Sequence, residues 1–281
     1  MKTCFIFQEK RDILFANRPP CVLALGFFDG VHKGHQKVIK TAVEKAKKKG
    51  LKAAVMTFSP HPKEVITNGK KQVAKLTTFV RKEQLIRELG VHFLYVIHFD
   101  NQFASLRPQQ FINKYLIPLQ VKHVVAGFDF TYGAKGMGNM KRLDTDSRGA
   151  FTVTTVDKVD NDGEKISSTL IRKKVMSGDF THMLTYLGRF YETCGVVKFA
   201  NRNAILLFSQ EVLLPQTDFY EVLISSKKSI FKMVVHCEAD EKIIHLPSLN
   251  PLMDSQKVKV QWLRRCKQSL VKKGKHFSYS T

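Results

Sequence analysis

The chain has 281 residues and a formal net charge of +22, enough length for two domains and enough apolar content for a buried core. No run approaches the roughly 18 apolar residues that span a bilayer. The first fifteen residues carry Lys2, Glu9, Lys10, Arg11 and Asp12 among their apolar positions, so no secretory leader is read there and a cytoplasmic location is expected, with no membrane partner. Five cysteines at irregular spacing (Cys4, Cys21, Cys194, Cys237, Cys266) give neither a disulfide framework nor a zinc knuckle. The basic excess fits polyanionic small substrates as well as nucleic acid. Lysines cluster on apparent solvent faces at Lys45 and Lys47–Lys49, and again at Lys272, Lys273 and Lys275, with no aromatic–arginine strand pattern. Nucleic acid is therefore not the expected partner.

In chain order, apolar runs at Cys21–Gly26, Lys52–Phe58, Phe93–His98, His123–Gly127 and Phe151–Val156 predict strands. Amphipathic stretches at Gly34–Lys49, Thr78–Leu89 and Pro108–Tyr115 predict helices between them. This alternation predicts an α/β fold with a parallel, doubly wound, Rossmann-like sheet. Ligands of such sheets bind beyond the carboxyl ends of the strands, which directs attention to the residues after Gly26, Phe58, His98 and Gly127. A short helix is expected over Ser168–Ser177 and another up to Leu187. From Tyr191 the pattern turns β-rich, with strands expected at Gly195–Phe199, Ala204–Phe208, Phe219–Ser225, Ser229–His236 and Lys257–Leu263. Two domains follow, residues 1–187 and a small β-barrel-like piece over 188–281.

The run Gly26-Phe27-Phe28-Asp29-Gly30-Val31-His32-Lys33-Gly34-His35 follows a strand and opens a helix. Its glycines allow a tight turn and close approach to a ligand, and the helix start offers free N–H groups and a positive dipole end to a phosphate. His32 and His35, three apart, face the same way on a helical turn. Asp29 is read either as shaping the turn or as touching substrate. No third ligand stands at metal spacing from the two histidines, and no residue is assigned to a metal directly. The run Ile166-Ser167-Ser168-Thr169-Leu170-Ile171-Arg172 reads as a helix N-terminus whose hydroxyls, N–H groups and guanidinium suit phosphate oxygens.

Together these two motifs resemble the HxGH and ISSTxxR patterns of the nucleotidyltransferase superfamily, whose acceptors include pantetheine phosphate, nicotinamide mononucleotide and glycerol phosphate. Thr57-Phe58-Ser59-Pro60-His61-Pro62 resembles the TFxPHP segment of bacterial FAD synthetases. Gly127-Phe128-Asp129-Phe130-Thr131-Tyr132-Gly133 resembles their GxDFxFG segment, and Leu187-Gly188-Arg189 their LGR. The resemblance implies an FMN adenylyltransferase with ATP and FMN as substrates and Mg²⁺ carried with ATP. It puts His32 and His35 on ATP phosphates and Asp129 near the nucleotide and flavin phosphate. Ser168, Thr169 and Arg172, with Ser167, hold the phosphate tail, and Phe58, Phe130 and Tyr132 are candidates for the isoalloxazine. Gly26, Phe27, Phe28, Asp29, Gly34, Pro60 and His61 complete the binding set. The second domain departs from that family's riboflavin kinase. Residues 197–208 hold no Gly-Phe-Pro-Thr-Ala-Asn run, and no glutamate stands at an evident base position after Val258. A degenerate kinase barrel without kinase activity is expected.

Overall fold

The computed structural model describes residues 1–10, 15, 18–200, 203–226, 229–246 and 255–266. Arg11, Asp12, Asn201, Arg202, Lys272, Lys273 and Lys275 lie outside the described residues. The chain divides into two compact units, one of Met1–Val73 with Phe79–Asp160, the other of Ala74–Thr78 with the residues from Asn161 onward.

The first unit is built on six strands: β1 (Lys2–Ile6), β2 (Cys21–Leu25), β3 (Lys52–Ser59), β4 (Phe93–His98), β5 (Val121–Gly127) and β6 (Thr152–Val156). They lie in the order β1-β4-β3-β2-β5-β6, and every neighbouring pair is parallel. The five strands read from the sequence are all present, displaced by at most two residues at an end. β1 is an addition. It is short and sits on the edge, and its outward positions include the exposed Phe5, so it lacks the continuous apolar run of a central strand. β2 is buried at every position, as expected for a strand covered on both faces.

The sheet has two packed faces. On one, Val22, Ala24, Ala53, Val55, Leu94, Val96 and Val125 meet Val38, Ile39, Ala42 and Ala46 of helix α1 (Lys33–Lys48) and Leu85 and Ile86 of helix α2 (Phe79–Glu88). On the other, Leu23, Leu25, Met56, Tyr95 and Ile97 meet Phe103, Phe111, Tyr115 and Leu116. The stretch Pro108–Tyr115, expected as one helix, is an α-turn over Pro108–Phe111 running into a π-helical turn over Ile112–Leu116. A further helix, Met140–Ser147, starts on Asn139, whose side chain accepts from the N–H groups of Lys141 and Arg142.

The strand order reverses at β2: β3 and β4 step out on one side of it, β5 and β6 on the other. That reversal opens the crevice in which doubly wound sheets bind ligands, and the segment leaving the carboxyl end of β2 is the glycine–histidine run.

The second unit contains helix α3 (Ser168–Met176), the helix Met183–Leu187 and a closed antiparallel barrel. Its strands are β7 (Tyr191–Ala200), β8 (Asn203–Leu207), β9 (Asp218–Ser225), β10 (Ile230–Glu238), β11 (Ile243–Leu246) and β12 (Lys257–Arg265), in the closed order β7-β8-β11-β10-β9-β12. Five were expected; the sixth, β11, is only four residues long. The barrel interior holds Trp262, Tyr220 and Tyr191, all fully buried, with Phe180 stacked on Trp262 at 5.7 Å between ring centroids. The Trp262 indole donates to Thr193 Oγ1 at 3.0 Å and the Tyr191 hydroxyl to the Leu213 carbonyl at 2.8 Å, so the polar tips of the buried rings are satisfied. Phe180 ties the segment following α3 to this interior, which accounts for residues 161–187 grouping with the barrel.

His123 links β5 to β6 through both ring nitrogens, one 2.5 Å from Thr152 Oγ1 and the other 2.8 Å from Thr154 Oγ1. Burial, with Lys45 and Lys49 nearby, pushes its pKa down to about 4 from 6.5. The native state thus holds His123 neutral while the unfolded chain takes up a proton below pH 6.5. The resulting stability is complete above that pH and drains away as pH falls toward 4. Urea unfolding of the intact chain is expected to lose about 1–3 kcal/mol more over that interval than a His123→Gln variant; equal losses would contradict it.

Candidate active site

The turn after β2 is held in an unusual backbone conformation. Phe28, Gly30 and Val31 have φ of 55°, 80° and 40°. For glycine this is free of cost, but for a β-branched valine it is an outlier. Phe28 is buried, and its ring occupies the space over Gly26: a Cβ at Gly26 would stand 2.8 Å from Phe28 Cζ. Gly26 is thus required by the ring that folds back over it. The Phe28 carbonyl accepts from the Val31 N–H at 3.3 Å, closing the turn.

His32 is the N-cap of α1. Its Nδ1 accepts from the backbone N–H of His35 at 3.3 Å, and its carbonyl accepts from Gln36 N–H at 2.8 Å. A ring nitrogen that accepts leaves the proton of a neutral imidazole on Nε2, which is thereby a donor. The rings of His32 and His35 stack at 3.6 Å between centroids, 20° apart, and the Phe28 ring meets His35 edge-on at 5.3 Å. Two imidazoles are therefore fixed together at the N-terminus of a sixteen-residue helix, with Gly34 inside its first turn. Partial positive charge, backbone donors and imidazole donors converge there, a seat for phosphate. Asp29 is buried within the same turn.

Phe27 is anchored from behind. Its carbonyl accepts from Thr57 Oγ1 at 2.8 Å and from Lys82 Nζ at 3.3 Å, and Lys82 also reaches Thr57 Oγ1 at 3.2 Å. The Lys82 ammonium lies 4.9 Å from the centre of the Phe27 ring, and His61 packs edge-on against that ring at 4.3 Å. His61 in turn caps the short helix Pro62–Ile66 by accepting from Lys63 N–H at 3.0 Å. The preceding Ser59–Pro60 bond is cis. Sequence reading missed Lys82 as a site residue. The available signal was its phase: Phe79, Lys82 and Ile86 share one stripe of α2, so a lysine falls on an otherwise core-facing line. It is 7% exposed.

The aromatic candidates are placed differently from one another. Phe58 is buried against Phe99 and Phe103. Tyr132 is buried, its hydroxyl donates to Asp146 at 2.6 Å, and its ring covers Gly138 and meets Phe111. Burial and that hydrogen bond push the phenol well above its ordinary pKa. Phe130 is half-buried, 6.3 Å from Tyr132, while Phe128 is 45% exposed. Asp129 is exposed between them at the end of β5.

Ser167, Ser168, Thr169 and Arg172 belong to the second unit. Ser167 is the N-cap of α3, its hydroxyl accepting from Leu170 N–H at 3.2 Å. Ser168 and Thr169 follow as the first two helical residues, with Thr169 exposed. The Arg172 Nε donates to the Ala74 carbonyl at 3.0 Å, which fixes the root of the guanidinium.

A left-handed turn leads from a parallel strand into a helix whose N-cap, His32, stacks on His35 at the reversal of a doubly wound sheet, and the relatives of this chain place it in the nucleotidyltransferase class. Residues 15–170 match the FAD synthetase family. A bifunctional riboflavin kinase/FMN adenylyltransferase of Listeria monocytogenes is 44% identical over 209 residues, 72% of this chain and 67% of that one. The corresponding protein of Bacillus subtilis is 36% identical over 284 residues, 94% of this chain and 90% of that one. A crystal structure described as a macrolide-efflux protein from Streptococcus pneumoniae is similar with a TM-score of 0.84 at 27% identity, covering 95% of this chain and 91% of that one. The chain belongs to the FAD synthetase family. Among the described residues, no helix is long and apolar enough to cross a membrane.

Replacing Lys82 by Met removes a charged donor shared by two acceptors behind the turn. Lys82→Met is expected to lower unfolding stability by about 1–3 kcal/mol, read by urea titration; an unchanged midpoint would show that the Phe27 carbonyl does not depend on it.

Proposed function

We propose that this chain is an FMN adenylyltransferase that transfers AMP from ATP to FMN, giving FAD and pyrophosphate, and that it lacks riboflavin kinase activity. The observation that carries the transfer is the fixed histidine pair at the N-terminus of α1, on the turn leaving β2. In the reaction a phosphate oxygen of FMN attacks the α-phosphorus of ATP in line. A new P–O bond forms as the bond to the β-phosphate oxygen breaks, and the electron pair leaves with pyrophosphate. Such transfer needs alignment and charge stabilisation more than a protein nucleophile.

His32 Nε2, His35 and the N–H groups of the first turn stabilise the charge that gathers on the transferred phosphoryl oxygens. Gly26 and Gly34 are assigned to the binding set on the family pattern. Ser167, Ser168, Thr169 and Arg172 are assigned to the β- and γ-phosphates on the family pattern. Asp129 is assigned on the same basis to the neighbourhood of the flavin phosphate. For the isoalloxazine, exposure favours Phe130 together with Phe128, whereas Phe58 and Tyr132 serve as the packed wall behind. Mg²⁺, which neutralises phosphate charge, enters on ATP phosphates and water.

The barrel supports the second half of the proposal. Residues 197–208, which span the end of β7 and β8, hold no Gly-Phe-Pro-Thr-Ala-Asn run of the kind a bifunctional kinase carries after its first barrel strand, and no glutamate stands at an evident base position after Val258. The interior position is taken by Trp262, Tyr220 and Tyr191, which gives the barrel a packed core of its own.

A chromatographic assay with Mg·ATP and either FMN or riboflavin, in oxidised and reduced forms, tests both halves. FAD from FMN, with no FMN from riboflavin, is expected. FMN formed from riboflavin would overturn the reading of the barrel, and no FAD in either redox state would overturn FMN as acceptor.

A further inference from the structure

A metal-ligating cluster lies on the barrel, in residues that the adenylyl-transfer reading does not use. β10 and β11 run antiparallel with His236 directly opposite His245, Cys237 opposite Ile244 and Glu238 opposite Ile243. Alternate residues of a strand share a face. Cys237 and Ile244 are fully buried in the barrel interior, so His236, Glu238 and His245 stand together on the outer face. Glu238 Oε1 lies 2.9 Å from His245 Nε2 and 3.6 Å from His236 Nδ1. One donor atom from each of the three residues lies within 4.8 Å of the others. Between 31% and 48% of each side chain is exposed, so an ion can reach them.

We propose that His236, Glu238 and His245 form a binding site for one divalent transition-metal ion of the Zn²⁺ type, with water completing the coordination. Zinc bonds to imidazole nitrogen and carboxylate oxygen are about 2.0–2.2 Å, so three donors round one ion stand about 3–3.5 Å apart. Two of the observed separations, 2.9 and 3.6 Å, already bracket that spacing. The His236 ring is steadied by Phe219, its cross-strand neighbour on β9, at 4.8 Å. Asp218, the next acid along β9, is engaged by Arg265 at 2.6 Å and is not counted as a ligand.

The donor set selects the metal. Two imidazoles and one carboxylate suit Zn²⁺, Co²⁺, Ni²⁺ or Cu²⁺, whereas Mg²⁺ and Ca²⁺ require mainly oxygen. The net charge of +22 opposes binding of any cation, so ligand bonds must outweigh it. The competing description is an ordinary surface His–Glu pair, which contributes little to stability. No linear motif announces the cluster; only the register of β10 against β11 creates it.

The test uses the tag-free full chain, stripped of metal with a chelator and titrated with Zn²⁺ alone by equilibrium dialysis. One ion per chain is expected, with affinity falling at least roughly ten-fold in both His245→Asn and Glu238→Gln. Thermal unfolding should shift upward with Zn²⁺ in the unmodified chain and not in the variants. Glu238→Gln preserves shape and so remains informative where a histidine variant fails to fold. Cys194→Ser, which removes the exposed thiol, should bind as the unmodified chain does. Unchanged Zn²⁺ affinity in a His236→Asn/His245→Asn double variant, or loss of binding on Cys194→Ser alone, would overturn the assignment.

Discussion

Between Gly26 and His32 the chain must leave a buried parallel strand, reverse within five residues and enter a helix with its first N–H groups facing outward. That requirement is met by left-handed backbone at Phe28, Gly30 and Val31. Held positions of this kind cost of order 1–3 kcal/mol each for residues with a Cβ. They persist because the surroundings over-determine them. Phe28 buries its whole ring over Gly26, Val31 is buried in the α1 face of the core, and the Phe27 carbonyl is gripped by Thr57 and Lys82. The flanking strands and α1 supply the rigid frame. What the turn gains is a pair of imidazoles and a helix N-terminus held in place by the fold itself, the preorganisation that the proposed transfer would use.

Electrostatics act at two ranges. Near the turn, the helix dipole and the imidazole donors favour negative charge. At longer range, a chain of net charge +22 raises the local concentration of ATP and FMN, both polyanions. The lysines of the last turn of α1 (Lys45, Lys47, Lys48) contribute to that excess while also suiting the negative end of the helix. A basic balance is thus consistent with small phosphate esters as substrates.

Much of this was legible from sequence because the signals are local. Gly26, Gly30, His32 and His35 fall at a strand-to-helix junction, and the apolar runs of β2 to β5 are those of strands buried on both sides. Ser167 was likewise readable as a cap. What was not legible depends on contacts distant in sequence. β1 is an edge strand whose pairing with β4 joins residues about ninety positions apart. β11 is too short to show alternation. Lys82 lies beneath Phe27 through contacts that are distant in sequence. Tyr132 carries the motif position of a flavin contact, yet its hydroxyl is committed to Asp146 fourteen residues on. The grouping of α3 with the barrel depends on Phe180 stacking on Trp262, which no local pattern announces.

On the proposed reading, the histidine pair acts mainly on the charge of the transition state. Steady-state kinetics of His35→Ala with Mg·ATP and FMN address it directly. The expected result is kcat lowered by about 10²–10³ with the KM for ATP changed only a few-fold. Near-normal turnover, or a loss confined to KM, would contradict it.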